Sequence, residues 1–80
     1  MLSITHQGRV YHLTLGSDVH TQPDGMFLEM DDPDGGVNPI LYAYRADDSR
    51  AITVSMYRPN IPFELVQAFI DAVQRELIDK

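Results

Sequence analysis

The sequence contains no cysteine and few basic residues. Without cysteine the chain forms no disulfide, no thiolate metal site and no thiol nucleophile, and its composition fits a reducing compartment. No apolar run approaches the ~20 residues that a membrane-spanning helix needs. The first ten residues lack the basic segment and apolar run of a secretory signal peptide. These absences predict a soluble, cytoplasmic protein.

Acidic residues outnumber basic ones twelve to six, and the excess is unevenly distributed. Eight of the acids but a single base, Arg45, lie between Gly16 and Ser49, which gives that segment a net charge of −7. Direct nucleic-acid binding is not expected, because no basic stripe is present to displace counterions from phosphates. A basic partner is electrostatically favoured. A purely solubilising role remains open, since aspartate is also common in turns.

The chain, residues 1–80, is long enough for a single domain with a thin core. Its last segment, Ile61 to Lys80, is the only one with a sustained helical period. Asn60 is a candidate N-cap, and Pro62 suits the first helical turn. At about 100° per residue, one apolar face results, flanked by Leu65 and Ala72. The members of that face are Phe63, Val66, Phe69, Ile70, Val73 and Leu77.

Five earlier segments have the properties of strands. Leu2 to His6 and Arg9 to Leu15 alternate in polarity around Gln7-Gly8, which predicts a hairpin with His6 opposite Arg9 and Ile4 opposite Tyr11. Met26 to Met30, Ile40 to Arg45 and Arg50 to Tyr57 follow, separated by loops. The sequence therefore predicts an α+β fold, an antiparallel five-stranded meander sheet with one C-terminal amphipathic helix packed on one face.

One helix covers one side of a sheet, so the pattern also predicts an open side. Val10, His12, Phe27, Thr53, Ser55 and Tyr57 are assigned to that side, joined by Tyr42 and Tyr44. The fourth strand leaves two choices open, because Leu41 and Ala43 compete with Ile40 and the two tyrosines for the core. Aromatic residues mixed with small polar ones are typical of a solvated sheet face and equally of a protein interface.

No catalytic, metal or cofactor site is predicted. His6 and His12 point to opposite sides of the predicted hairpin, and His20 lies in a loop without ligand spacing. The Asp31, Asp32 and Asp34 cluster lacks the twelfth-position glutamate of a calcium loop. The chain has neither a phosphate-binding glycine loop nor a nucleophile elbow. A non-enzymatic protein is therefore expected.

The leading hypothesis is a small acidic module that binds a protein partner, with acidic loops steering a basic, nucleic-acid-binding surface onto aromatic contacts. The candidate residues are Phe27, Asp31, Asp32, Asp34, Tyr42, Tyr44, Asp47, Asp48 and Tyr57. In size and charge the chain resembles bacterial toxin-immunity proteins and phage-encoded anti-defence proteins, among them anti-CRISPR proteins, which implies an inhibitor. Two alternatives remain: a homodimer closed through the open sheet face, and a small-molecule or metal-binding protein centred on His12, Tyr57 and the acidic loops.

Overall fold

The computed structural model describes residues 2–18 and 24–79 and has five antiparallel strands in one open sheet, followed by one C-terminal helix. The sheet order is β1-β2-β3-β4-β5, so each strand pairs with its neighbour in sequence. The strands are β1 (Ser3–His6), β2 (Arg9–Asp18), β3 (Gly25–Asp31), β4 (Leu41–Ala46) and β5 (Ile52–Met56). Helix α1 (Phe63–Val73) continues into a π-helical turn, Gln74–Ile78. The predicted α+β class and meander are confirmed.

The first hairpin has the predicted register, with His6 opposite Arg9 and Ile4 opposite Tyr11. Its loop residues, Gln7 and Gly8, have φ values of 50° and 77°. Two successive positive φ angles match the twist of the flanking strands, which is why such two-residue loops favour glycine.

The neighbouring strands settle which residues of β4 enter the core. Leu41 lies between Met30 and Met56, and Ala43 lies between Leu28 and Val54. Since directly opposed residues share a sheet face, Leu41 and Ala43 point towards the helix. Tyr42 and Tyr44 therefore lie on the open side, as one of the two predicted alternatives had it.

The hydrophobic core lies between the sheet and the helix. Ile40, which immediately precedes β4, is also buried, and its amide donates to the carbonyl of Met30 over 2.8 Å. The buried apolar residues of the sheet side are Tyr11, Leu13, Leu28, Met30, Ile40, Leu41 and Ala43, and those of the helix side are Leu65, Phe69, Ala72, Val73 and Leu77.

The helix is rotated relative to the sequence prediction. Phe63 is 73% exposed and Ile70 40% exposed, although both were expected in the core, whereas the predicted flank residue Leu65 is fully buried. The prediction that Asn60 caps the helix is also wrong. Pro62 occupies the N-cap, its carbonyl accepting from the amides of Leu65 and Val66, while Asn60 has a φ of 59° in the preceding turn.

The end of the helix is held by the sheet. In the π-helical turn the amide of Asp79 donates to the carbonyl of Gln74 over 2.9 Å, and Leu77 within this turn is fully buried. The Leu77 carbonyl accepts a 2.6 Å hydrogen bond from Nη1 of Arg45 on β4. That bond satisfies one of the carbonyls that a helix terminus leaves unpaired.

The helix leaves part of its own side of the sheet uncovered. Val54 and Met56 of β5 lie opposite the buried Ala43 and Leu41, yet they are 47% and 54% exposed. β5 is an edge strand, so its outer side is also unpaired by the sheet. Within the described residues, no helix has the length and apolar character needed to cross a membrane.

Candidate partner-binding face

The side of the sheet away from the helix is the open face. All four aromatic residues that the sequence assigned to this side lie on it. Phe27 lies opposite Tyr44, and Tyr42 lies opposite Glu29. Tyr57 directly follows β5, where its amide donates to the carbonyl of Ile40. The described strand residues of this face include His12, Thr14, Gly16, Gly25, Phe27, Glu29, Asp31, Tyr42, Tyr44, Ala46, Thr53 and Ser55, with Ser3, Thr5 and Val10 at the β1 edge.

Two glycines support aromatic rings on the open face. A Cβ atom at Gly16 would lie 2.6 Å from the ring of Phe27, and one at Gly25 would lie 2.6 Å from the ring of Tyr44. The rings therefore lie across bare backbone, where a larger residue would displace them. Phe27 also stacks on Tyr42, with ring centroids 5.8 Å apart and planes inclined by 18°. This stacking is diagonal across β3 and β4. Together with Tyr44, which lies opposite Phe27, the two rings form an aromatic row of Tyr44, Phe27 and Tyr42.

A cleft of about 320 Å³ opens beside this row, between the strands and the β3–β4 loop. Glu29 and Tyr42 form one side as a cross-strand pair. The described residues that line it are Glu29, Val37, Asn38, Pro39, Tyr42 and Tyr57. Sequence reasoning identified the two tyrosines but missed Glu29 and the loop residues. The available signal for Glu29 was its alternation with the core residues Leu28 and Met30.

The charge on the described strands of the open face is acidic. Glu29 and Asp31 lie two residues apart on β3, and the described strand residues of this face include no arginine or lysine. Partial burial raises the pKa of Glu29, and the negative charge of Asp31 raises it further. Both causes disfavour the carboxylate, so a cation near Glu29 would relieve an unfavourable charge.

Three arginines lie away from the open face and are paired with acids. Arg9 contacts Asp34 at 2.7 Å, and Arg58 contacts Asp32 at 2.7 Å. Arg45, on the helix side, approaches the carboxylate of Asp47 at 3.5 Å in addition to its bond to the helix. Acidic side chains of the same chain therefore compensate the positive charges of these three arginines.

Asp32 must be removed from the predicted partner-binding set, because its side chain is only 3% exposed. Its carboxylate accepts hydrogen bonds from Arg58, from Arg9 at 3.2 Å and from the amide of Asp34 at 3.0 Å. The bond from Arg58, the amide of Asp34 and the charge of Arg9 hold the pKa of Asp32 below its usual range. The Asn38 side chain binds the Asp32 amide and carbonyl. Asp32 is a structural residue of the β3–β4 loop.

The other four predicted aspartates form two groups at opposite ends of the sheet. Asp31 and Asp34 lie at the end of β3 and in the loop after it, whereas Asp47 and Asp48 lie in the turn between β4 and β5. Asp48 accepts from the amide of Ser49 over 2.6 Å. Asp34, Asp47 and Asp48 are exposed and Asp31 is half-buried. The acidic residues therefore flank the aromatic row instead of forming one patch.

The histidines provide no shared site among the described residues. His12 lies opposite Ser3 and Asp31 on the open face, whereas His6 lies on the helix side of β1, as predicted. His20 lies outside the described residues. Within residues 2–18 and 24–79, no group of three potential metal-ligating side chains occurs.

Comparison with known proteins gives no relative: the chain matches no protein-family model, no curated protein and no solved structure.

Proposed function

We propose that this protein is a non-enzymatic, cytoplasmic binding module whose open face docks onto a basic surface of a protein partner. The observation that carries the proposal is the distribution of charge. The open face has acids and aromatic rings, while Arg9, Arg45 and Arg58 are paired elsewhere in the fold. A face of this kind complements a positively charged surface.

The aromatic row supplies the contact part of the proposal. Tyrosine and phenylalanine are enriched at the centres of interfaces, because they bury much apolar area with few rotatable bonds. Phe27 and Tyr44 rest against Gly16 and Gly25, and we expect this packing to order their rings before binding. Ordered side chains lose less entropy on association.

The two aspartate groups supply the steering part. Asp34, Asp47 and Asp48 are exposed at the two ends of the sheet. Arg9 and Arg45 partly offset the charges of Asp34 and Asp47, so Asp48 and the half-buried Asp31 contribute most of the negative potential added beyond the aromatic row. A partner that normally binds nucleic acid has the matching positive potential. Occupying its groove would inhibit it, as expected for proteins of the immunity or anti-defence, anti-CRISPR-like class.

The test is capture of a partner followed by kinetics with the purified pair. Immobilised protein is exposed to lysate of its source cell or host, and captured proteins are identified at low and high salt. We expect a basic protein that is lost when Tyr42 and Tyr57 are both changed to alanine and retained with Phe63→Ala, the control on the helix side. Retention by the tyrosine variant would contradict the use of the open face.

Steering is then tested with four replacements, Asp31→Asn, Asp34→Asn, Asp47→Asn and Asp48→Asn, combined in one variant. We expect the association rate at low salt to fall about tenfold or more, with little change in dissociation. An association rate that is unchanged and independent of salt would remove the steering role.

A second candidate function is homodimerisation, and what supports it is β5. Every second residue of β5 forms its backbone hydrogen bonds with β4. The residues between them are Ile52, Val54 and Met56, and their N–H and C=O groups point away from β4. The strand contains no charge and no proline, the usual protections of an edge. Pairing two copies through β5 would also cover Val54 and Met56.

A further inference from the structure

The cleft beside the aromatic row combines three kinds of surface. Tyr42 and Tyr57 contribute rings, Val37 and Pro39 contribute apolar walls, and Glu29 contributes a carboxylate. Among the described residues that line the cleft, none is cationic and Glu29 is the one acid. Tyr57 is 53% exposed, so the cleft is accessible from solvent.

This combination matches the chemistry of one cationic side chain. The face of a tyrosine ring attracts a cation through its quadrupole, and a carboxylate adds a charge-assisted hydrogen bond. Apolar walls accommodate the methylene stem of a long basic residue. A volume of about 320 Å³ is at the lower end of ligand pockets and suits one side chain better than a large ligand.

Arginine fits better than lysine. Its planar guanidinium stacks on aromatic rings and binds a carboxylate through two parallel hydrogen bonds, whereas the lysine ammonium is a compact, strongly hydrated charge. One face of Tyr42 is already stacked on Phe27, so a planar group in the cleft would extend the same aromatic row.

We propose that the cleft formed by Glu29, Tyr42 and Tyr57 binds an arginine side chain of the partner protein. This inference rests on the proposed function in one respect, namely that the arginine belongs to a protein docked on the open face. Recognition of the isolated side chain is a property of this chain alone and can be measured without the partner.

The electrostatics of Glu29 support the geometry. Burial and Asp31 raise the pKa of Glu29 in the free protein, and a bound guanidinium would lower it again. Affinity should therefore decrease as the pH falls through the raised pKa of the free protein. The other ionisable groups facing this region are Asp31 on the same strand, His12 on β2, and Tyr42 and Tyr57, so the assignment to Glu29 requires a variant.

The experiment is a titration of the full chain with Nα-acetyl-arginine methylamide, followed by two-dimensional NMR. We expect saturable shifts at Glu29, Tyr42, Tyr57 and residues 37–38, with dissociation in the millimolar range typical of a small fragment. The uncharged Nα-acetyl-norleucine methylamide should bind about tenfold more weakly, because it lacks the cation. The lysine derivative should fall between the two.

Two variants test the lining. Glu29→Gln preserves shape, should weaken arginine-derivative binding about tenfold and should abolish its pH dependence. Tyr57→Leu should weaken binding about fivefold through loss of a ring face. The matched controls are Glu64→Gln and Phe63→Leu, which alter an exposed glutamate and an exposed ring at the start of the helix and should leave binding unchanged.

Several outcomes would overturn the inference: equal binding of the norleucine derivative, tighter binding of the lysine derivative, shifts away from the cleft, or a Glu29→Gln variant that binds as well as the parent. Each leaves the basic-partner proposal intact, since that depends on capture by the open face. If the cleft bound the arginine derivative specifically but no basic protein were captured, the arginine site would be supported and the proposed function would be wrong.

Discussion

Asp31, Asp32 and Asp34 have nearly identical local sequence surroundings but different positions in the fold. Asp32 alone is enclosed, by Arg9 and Arg58, which lie 23 and 26 residues away in sequence. Its role could not be predicted from the sequence, because nothing local separates it from its neighbours. The rings on the open face are a similar case, since Gly16 and Gly25 support Phe27 and Tyr44 only through strand pairing.

We expect Asp32→Asn to lower the free energy of unfolding by about 2 kcal/mol at neutral pH, because hydrogen bonds to a charged group are lost. Since the folded pKa of Asp32 is depressed, its stabilisation is fully present above the unfolded value of about 3.9 and lost as the pH falls through the lower folded value. Urea unfolding between neutral pH and pH values below the folded pKa measures both effects.

Asp34→Asn is the matched control for that experiment. Asp34 is exposed and pairs with a partly exposed Arg9, so its replacement should change stability by less than about 1 kcal/mol. If the two variants were equally destabilised, or if Asp32→Asn retained the full acid dependence of this region, the structural role assigned to Asp32 would be wrong.

At the level of single elements, the register of the hairpin was predictable to the residue, although β2 extends to Asp18, beyond the predicted Leu15. The helix was predictable in position but not in rotation. The hairpin has strict alternation and a turn that agree on one register. The helix has apolar residues around more than half of its circumference, so its periodicity allows several faces to be buried. Packing against the sheet determines which face is buried. Leu65, Phe69 and Leu77 are buried, whereas Phe63 and Ile70 are exposed.

The contrast between two phenylalanines tests this rotation. We expect Phe69→Ala to lower the free energy of unfolding by about 3–5 kcal/mol, since it opens a cavity in the core. Phe63→Ala should change it by about 0.5 kcal/mol or less, because Phe63 is mostly in solvent. Chemical unfolding of both variants measures the two changes. Similar decreases in the free energy of unfolding would indicate that Phe63 is buried, as the sequence predicted.

At the scale of the whole molecule, the α+β class and strand order followed from the sequence because short loops favour a meander. The candidate site was only partly predictable. Its aromatic residues share a face by simple alternation, but the cleft depends on how the loop containing Val37, Asn38 and Pro39 folds beside β3 and β4. Alternation specifies the face of a strand and carries no information on the path of a nine-residue loop.

Association through β5 gives a prediction at the same scale. If β5 pairs two copies, the mass measured by light scattering after gel filtration rises from monomer to dimer with concentration. Val54→Lys should then restore the monomer, because charge protects an exposed edge, whereas Tyr57→Leu should leave the dimer intact. A monomer at every concentration would remove this candidate, and a dimer broken by Tyr57→Leu alone would favour the open face as the dimer surface.

The meander has a consequence for how the chain folds. Each strand pairs with its neighbour in sequence across a connection of nine residues or fewer, so the sheet forms through fairly local contacts, a property associated with fast folding. The core, by contrast, closes only through the helix, which is synthesised after all five strands. While the chain emerges from the ribosome, the apolar side of the growing sheet therefore stays in water until residues 63–78 appear, and a chaperone that binds the nascent chain would meet Leu28, Met30 and Leu41 there.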